Sequence, residues 1–267
     1  MPASVYDEVQ VHDRRLEVVR IRPAFAPGGA TAGGPSIVML HEGLGSVAMW
    51  RDFPQKVAMA TGLEVVAYSR VGYGKSDPIT TQRNVRYMHE EALVTLPALL
   101  QALAIERPIL LGHSDGGSIA LIFAGGAQRP VRGVIAMAPH VMVEEISVAS
   151  IAQAKAAYQS TDLRHRLARY HDDVESAFWG WNDIWLHPEF RHWNIEEYLP
   201  RIQCPVLAIQ GEGDEYGTME QIDRIRQQIA DTHLVKLADC RHSPHRDQPE
   251  AVLAAIGPFV ERLCPRP

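Results

Sequence analysis

The sequence predicts an α/β protein: a mostly parallel sheet of about eight strands flanked by helices, with a helical segment inserted after the sixth strand. Three observations predict it. Short β-rich runs recur with helical stretches between them, and several of these runs are apolar throughout, as strands covered on both faces must be. The alternation then breaks once, between residues 141 and 201.

The first two runs, "VYDEVQV" (5–11) and "LEVVRI" (16–21), are joined through His12, Asp13 and Arg14, so the sheet should begin with an antiparallel hairpin at its edge. The glycine-rich "APGGATAGGP" (26–35) has no strand-to-helix context and no closing lysine, which makes it a flexible connection rather than a phosphate loop. "SIVML" (36–40) and "EVVAYS" (64–69) follow as buried strands. "RVGYGKSD" (70–77) contains GKS, but a P-loop needs glycine five residues before Gly74, where Ser69 stands. Nucleotide binding is thereby discarded. "PILLG" (108–112) and "GVIAMA" (133–138) complete the first six strands, and "PVLAIQ" (205–210) and "HLVKL" (233–237) supply the last two. The intervening segment carries four of the five tryptophans and reads as a helical cap, so the expected division is a core of 1–140 and 202–267 with a cap at 141–201.

With 267 residues and a net charge of -6, the chain can bury a substantial core. It has no basic cluster of the kind nucleic acid requires. Its acidic N-terminus does not resemble a signal peptide, and it has no run of about 18 apolar residues, so a cytoplasmic protein without membrane contact is expected. Cys204, Cys240 and Cys264 are odd in number and widely spaced, which suits reduced thiols better than disulfides or a metal site.

The chemistry is concentrated in "ILLGHSDGGSIALIFAGG" (109–126). Gly112-His113-Ser114-Asp115-Gly116 is a GxSxG sequence between an expected strand and an expected helix, the context in which it forms a nucleophile elbow. The turn lifts Ser114 above the carboxyl edge of the sheet and sets the first helical N–H groups where an oxyanion would form. A serine hydroxyl needs a base and a carboxylate to orient that base. The loop after "PVLAIQ" offers Glu212, Asp214 and Glu215, and the loop after "HLVKL" offers His242 and His245.

These stretches resemble the α/β-hydrolase superfamily. In its capped members the acid lies in G-x-x-D, matched by Gly211 to Asp214, and the base in H-x-P-x-x-[ED]-x-P, matched by His242, Pro244, Asp247 and Pro249. The resemblance implies a triad of Ser114, Asp214 and His242, with Glu212 and His245 as fallbacks. It also implies an oxyanion hole formed by the N–H of Asp115 and a donor from the H-G-x loop, here "LHEGLGSVAMW". His41 matches, Glu42 replaces the usual glycine, and Gly43 takes the donor position, unless a one-residue slip gives that role to Leu44. "SRVGYGKSD" is similar to the family's R-G-x-G-x-S, with Val71 extra, and Arg241 stands where glycine often precedes the histidine. The Asp115 side chain is expected to face solvent or to cap its helix.

Glu42, Leu44 and His113, beside the nucleophile and oxyanion positions, are candidate substrate contacts, as are Trp179, Trp181 and Trp185 as pocket walls. Serine rather than aspartate at the elbow argues for acyl transfer to water. The expected activity is hydrolysis of small to medium, partly apolar carboxylic esters, with no metal and no organic cofactor. A C–C bond hydrolase or enol-lactonase of aromatic degradation is the alternative enzyme. A slow-turnover ligand sensor is the alternative of another class, suggested by Glu42. Homo-oligomerisation is left open by order along the chain.

Overall fold

The computed structural model describes residues 2–23 and 34–265. Most of the glycine-rich connection expected at 26–35 lies outside the described residues. Eight strands form one sheet, ordered β1-β2-β4-β3-β5-β6-β7-β8: β1 (Ala3–Val11), β2 (Arg14–Arg22), β3 (Ser36–Leu40), β4 (Glu64–Tyr68), β5 (Ile109–His113), β6 (Gly133–Met137), β7 (Val206–Gly211) and β8 (Thr232–Leu237). β1 and β2 make the antiparallel edge that the hairpin spacing predicted, and β2 meets β4 antiparallel. From β4 to β8 every pairing is parallel.

The apolar strands divide their side chains between two layers, as a period of two requires. Val38, Leu40, Val66, Leu110 and Ala136 point into one core. Ile37, Met39, Val65, Leu111 and Ile135 point into the other. The second core is covered by α1 (Phe53–Thr61) and α10 (Pro249–Leu263), whose Val57, Val252 and Ile256 are fully buried. The first is covered by α2 (Tyr87–Glu90), α3 (Leu96–Ala102) and α4 (Asp115–Gly126), a helix buried along most of its length.

Between β6 and β7 the chain forms α5 (Glu145–Ser160), α6 (Leu163–Leu167) and α7 (Val174–Trp185), followed by two short 3-10 helices. A bridge between Met142 and Asn194 draws the two ends of this excursion together, and Ile195 N–H donates to Val141 O at 2.8 Å. α8 (Glu220–Gln228) follows β7, and α9 (Pro244–Asp247) follows β8 and leads into α10. The parallel connections bring the carboxyl ends of β3, β5, β6, β7 and β8 to one edge, where a sheet of this kind places its ligands.

Candidate active site

The corner after β5 is shaped by steric exclusion. A Cβ on Gly112 would lie 2.1 Å from Gly116 O, and one on Gly116 would lie 2.0 Å from Leu40 O, so both positions exclude every other residue. Ser114 sits between them with φ 53° and ψ -119°, a region L-residues rarely occupy. The strain projects its side chain out of the sheet edge. Ser114 N–H is held by Met137 O at 2.9 Å, which ties the corner to the end of β6. α4 begins at the next residue, so the amide of Asp115 is the first N–H of a helix N-terminus adjoining the hydroxyl.

The structure brings together the three residues expected to act with that hydroxyl. His242 Nε2 lies 3.0 Å from Ser114 Oγ, and its Nδ1 lies 2.8 and 3.0 Å from the two oxygens of Asp214. With Asp214 accepting from Nδ1–H, Nε2 is left free to accept from the serine. Burial pushes the Asp214 carboxyl up, but the His242 imidazole and the Tyr216 N–H outweigh it and hold it below the usual carboxylate range. Glu215 accepts from the His242 backbone N–H at 3.2 Å, Asp247 accepts from Arg241 N–H at 2.9 Å, and Tyr216 lies 4.6 Å from the His242 ring. The fallback residues are placed elsewhere. Glu212 is exposed, and His245 is packed among Trp50, Phe53 and His113, where burial holds its pKa well below the ordinary value.

The loop after β3 is oriented by Arg70, fully buried beneath it. Its guanidinium donates to His41 O at 2.6 Å and to Glu42 O at 3.0 Å. Glu42 O also accepts from Gly45 N–H at 3.0 Å and from His41 Nδ1–H at 2.7 Å, while His41 Nε2 accepts from Arg70 N–H. With both ring nitrogens committed, burial and Arg70 keep His41 neutral, its pKa well below ordinary. A trans peptide sets the Gly43 N–H opposite the Glu42 carbonyl, so these donors turn that amide away from Arg70. A Cβ on Gly43 would fall 2.1 Å from the Trp181 indole, which accounts for glycine there.

Glu42, the departure from the expected loop, is paired. Its oxygens lie 3.6 Å from His113 Nδ1 and 3.4 Å from Arg246 Nη2. Burial opposes its ionisation, yet His113 and Arg246 hold its pKa well below the carboxylate range. His113 Nε2 in turn donates to the His242 carbonyl at 2.7 Å, so the pair braces the loop that carries His242.

Asp115 departs from expectation. Its side chain faces neither solvent nor the helix end but is fully buried, accepting from the Tyr87 hydroxyl, which itself accepts from Trp185 Nε1 at 3.1 Å. Arg70 Nη2 lies 3.9 Å from the same carboxylate. Burial raises the Asp115 pKa, with Arg70 and Tyr87 opposing. Nothing local in the sequence signals this arrangement, because its members come from four separate elements.

Above Ser114 lies a cavity of about 170 Å³ lined by Glu42, Gly43, Leu44, His113, Asp115, Trp181 and Trp185, among others. Trp179 does not reach it. Trp181 and Trp185 are four residues apart on one face of α7, whereas Trp179 projects from the opposite side. There it donates to Glu175 and lines a separate cavity of about 360 Å³ with Ile79, Arg83 and Asp183. The sequence reading also missed His140, Ile151 and Tyr216 in the wall of the serine cavity. His171, from the inserted segment, accepts from Gly74 N–H and donates to Leu44 O, each at 3.0 Å, which ties that segment to the loop after β3.

This strand order, the strained serine corner and the acid and histidine in successive strand-end loops define a hydrolase architecture. A family model described as "Alpha/beta hydrolase family" matches residues 37–255, and the chain belongs to that family. The chain is 23% identical over 290 residues to a proline iminopeptidase of Heyndrickxia coagulans, covering 93% of this chain and 98% of the relative. It is 22% identical over 236 residues to a 2-hydroxy-6-oxo-6-phenylhexa-2,4-dienoate hydrolase of Comamonas testosteroni, covering 78% and 82% of the two chains. The structure of the hydrolase of that name from Rhodococcus sp. strain RHA1 is similar in fold, with a TM-score of 0.77, 15% identity and coverage of 98% and 99%. Among the described residues, no helix is long and apolar enough to cross a membrane.

Proposed function

We propose that this hydrolase cleaves carboxylic esters of small to medium, partly apolar substrates through an acyl-enzyme. The observation that carries the proposal is the row from Ser114 Oγ through His242 to Asp214 beside a small aromatic-walled cavity. In this reading His242 takes the Ser114 proton as the serine attacks the ester carbonyl, and the amides of Asp115 and Gly43 receive the developing oxyanion. His242 then protonates the leaving alcohol and activates water for deacylation, while Asp214 keeps Nδ1 protonated. No step calls on a metal or an organic cofactor. The substrate is a small molecule, and a cytoplasmic setting fits the reduced thiols.

A second reading, cleavage of a C–C bond, draws on the name of the Comamonas relative. Its named substrate is a carboxylate anion. The cavity here is lined by the carboxylates of Glu42 and Glu215 and by no lysine or arginine, so an anionic substrate would lack a counter-ion. This composition favours a neutral ester. The Glu42 carboxylate that had suggested a slow ligand sensor stays ionised but is partnered by His113 and Arg246, which offset its charge toward a developing oxyanion.

The test is hydrolysis of p-nitrophenyl esters of increasing acyl length by the parent protein and Ser114→Ala. Repeated turnover by the parent, lost in the variant and best for short chains, supports the proposal. A folded parent as inactive as the variant overturns ester hydrolysis.

A further inference from the structure

Among the side chains in the wall of the serine cavity that the mechanism does not use is a histidine. His140, on the loop after β6, is 2% exposed and lines the cavity beside Trp185 and His242, its ring 4.9 Å from the first and 5.9 Å from the second. Its backbone is clamped to the nucleophile helix: Ser118 Oγ donates to His140 O at 2.6 Å and accepts from His140 N–H at 3.0 Å. The position of the ring is therefore set relative to Ser114. Neither ring nitrogen makes a hydrogen bond among the described residues; Nδ1 is sealed by burial, which leaves Nε2 as the nitrogen open to the cavity. A polar atom without a partner in a cavity wall is costly unless a ligand supplies one.

Burial, with His242 next, lowers the His140 pKa to about 3. The ring is thus neutral at any ordinary pH, able to donate from one nitrogen and accept at the other. Its surroundings in the wall are largely apolar: Leu44, Ile151, Trp181 and Trp185. A substrate that only filled this wall with hydrocarbon would leave the imidazole unpaired.

Resting on the ester-hydrolase reading, we propose that His140 is a specificity-determining residue, which hydrogen-bonds an uncharged oxygen substituent, such as a hydroxyl, ether or keto group, on the substrate. The preferred substrates are then oxygenated neutral esters rather than plain alkanoyl esters. A site built around a polar partner discriminates strongly against the analogue that lacks it, because the site's own group is left unsatisfied.

The experiment compares p-nitrophenyl butanoate and pentanoate with isosteres in which one chain methylene is replaced by an ether oxygen, each rate divided by the ester's own hydroxide-driven rate. The expected result is a preference of about tenfold or more in kcat/KM for one oxygenated isostere. That ratio should collapse to near one in His140→Leu and be partly kept in His140→Gln; the ratio is read whatever the absolute rates. A parent with no preference, or a preference that survives His140→Leu, overturns the inference while leaving ester hydrolysis standing. If the folded parent hydrolyses none of the esters, the function proposal fails instead. The same intact esters are then titrated by quenching of the tryptophan fluorescence, and the affinity ratio takes the place of the rate ratio. Equal affinity for the isosteres, or no binding of either, overturns the His140 assignment as well.

Discussion

The two flanks of Ser114 are built differently. On one side His242 and Asp214 sit in short loops at strand ends, 12% and 2% exposed in their side chains, and are joined by hydrogen bonds from 2.8 to 3.0 Å. On the other side Asp115, Tyr87, Trp185 and Arg70 form a buried polar chain beneath the cavity floor, drawn from four elements and partly unsatisfied: Asp115 Oδ1 and Arg70 Nε have no partner among the described residues. The first flank carries groups able to exchange protons with a substrate. The second carries groups sealed from water, whose contribution is to hold the floor and the Trp185 wall in register. Chemistry should therefore be sensitive to the first flank and stability to the second.

The largest effect is expected on the first flank. Ser114→Ala and His242→Ala should each reduce ester turnover by about 10⁴-fold or more, and the double variant should fall little further, because the pair acts as a unit. A steady-state rate comparison checks this, and additive losses would break the distinction. Gly116→Ala tests the corner itself. Its Cβ would meet the Leu40 carbonyl at 2.0 Å, so a loss of stability above about 3 kcal/mol, or failure to fold, is expected by thermal or denaturant unfolding.

Tyr87→Phe probes the second flank. It removes the donor to a buried carboxylate and should cost about 1–3 kcal/mol of stability, with a smaller effect on turnover than any change to His242. The pH dependence has a definite sign. The folded pKa of Asp115 lies above its unfolded value, so its ionised form weighs against the fold at neutral pH, and this cost is relieved as pH falls through the folded pKa. The deficit of Tyr87→Phe should accordingly be largest at neutral pH and shrink in acid, as unfolding measured across pH would record. The smallest effects sharpen the account of the inserted helices. Trp181→Ala should raise KM for longer acyl chains several-fold, whereas Trp179→Ala, facing the other cavity, should change it by less than about twofold.

The difference between the flanks also explains what the sequence made legible. The strands were readable because burial on both faces leaves continuous apolar runs, and the serine corner because its sterics demand glycine at 112 and 116. Strand order pointed to the loops after β7 and β8 for an acid and a histidine, but the choice of Asp214 and His242 within those loops came from the resemblance to the family's motifs. Asp115 was misread as a solvent-facing or capping side chain because its partners Tyr87, Arg70 and Trp185 lie 28, 45 and 70 positions away. Glu42 could be flagged as unusual, but its pairing with His113 and Arg246 depends on how three loops meet. Trp179 was grouped with its neighbours by composition, and only the angular spacing along α7 separates it from Trp181 and Trp185.

The central claim, that His242 activates Ser114 as a nucleophile, is tested most directly by trapping with a fluorophosphonate and intact-protein mass spectrometry followed by peptide mapping. The account predicts a single adduct on Ser114, absent in Ser114→Ala and formed at least about 100-fold more slowly in a folded His242→Gln variant. An adduct on another residue, or labelling of Ser114 at an unchanged rate without His242, would contradict it.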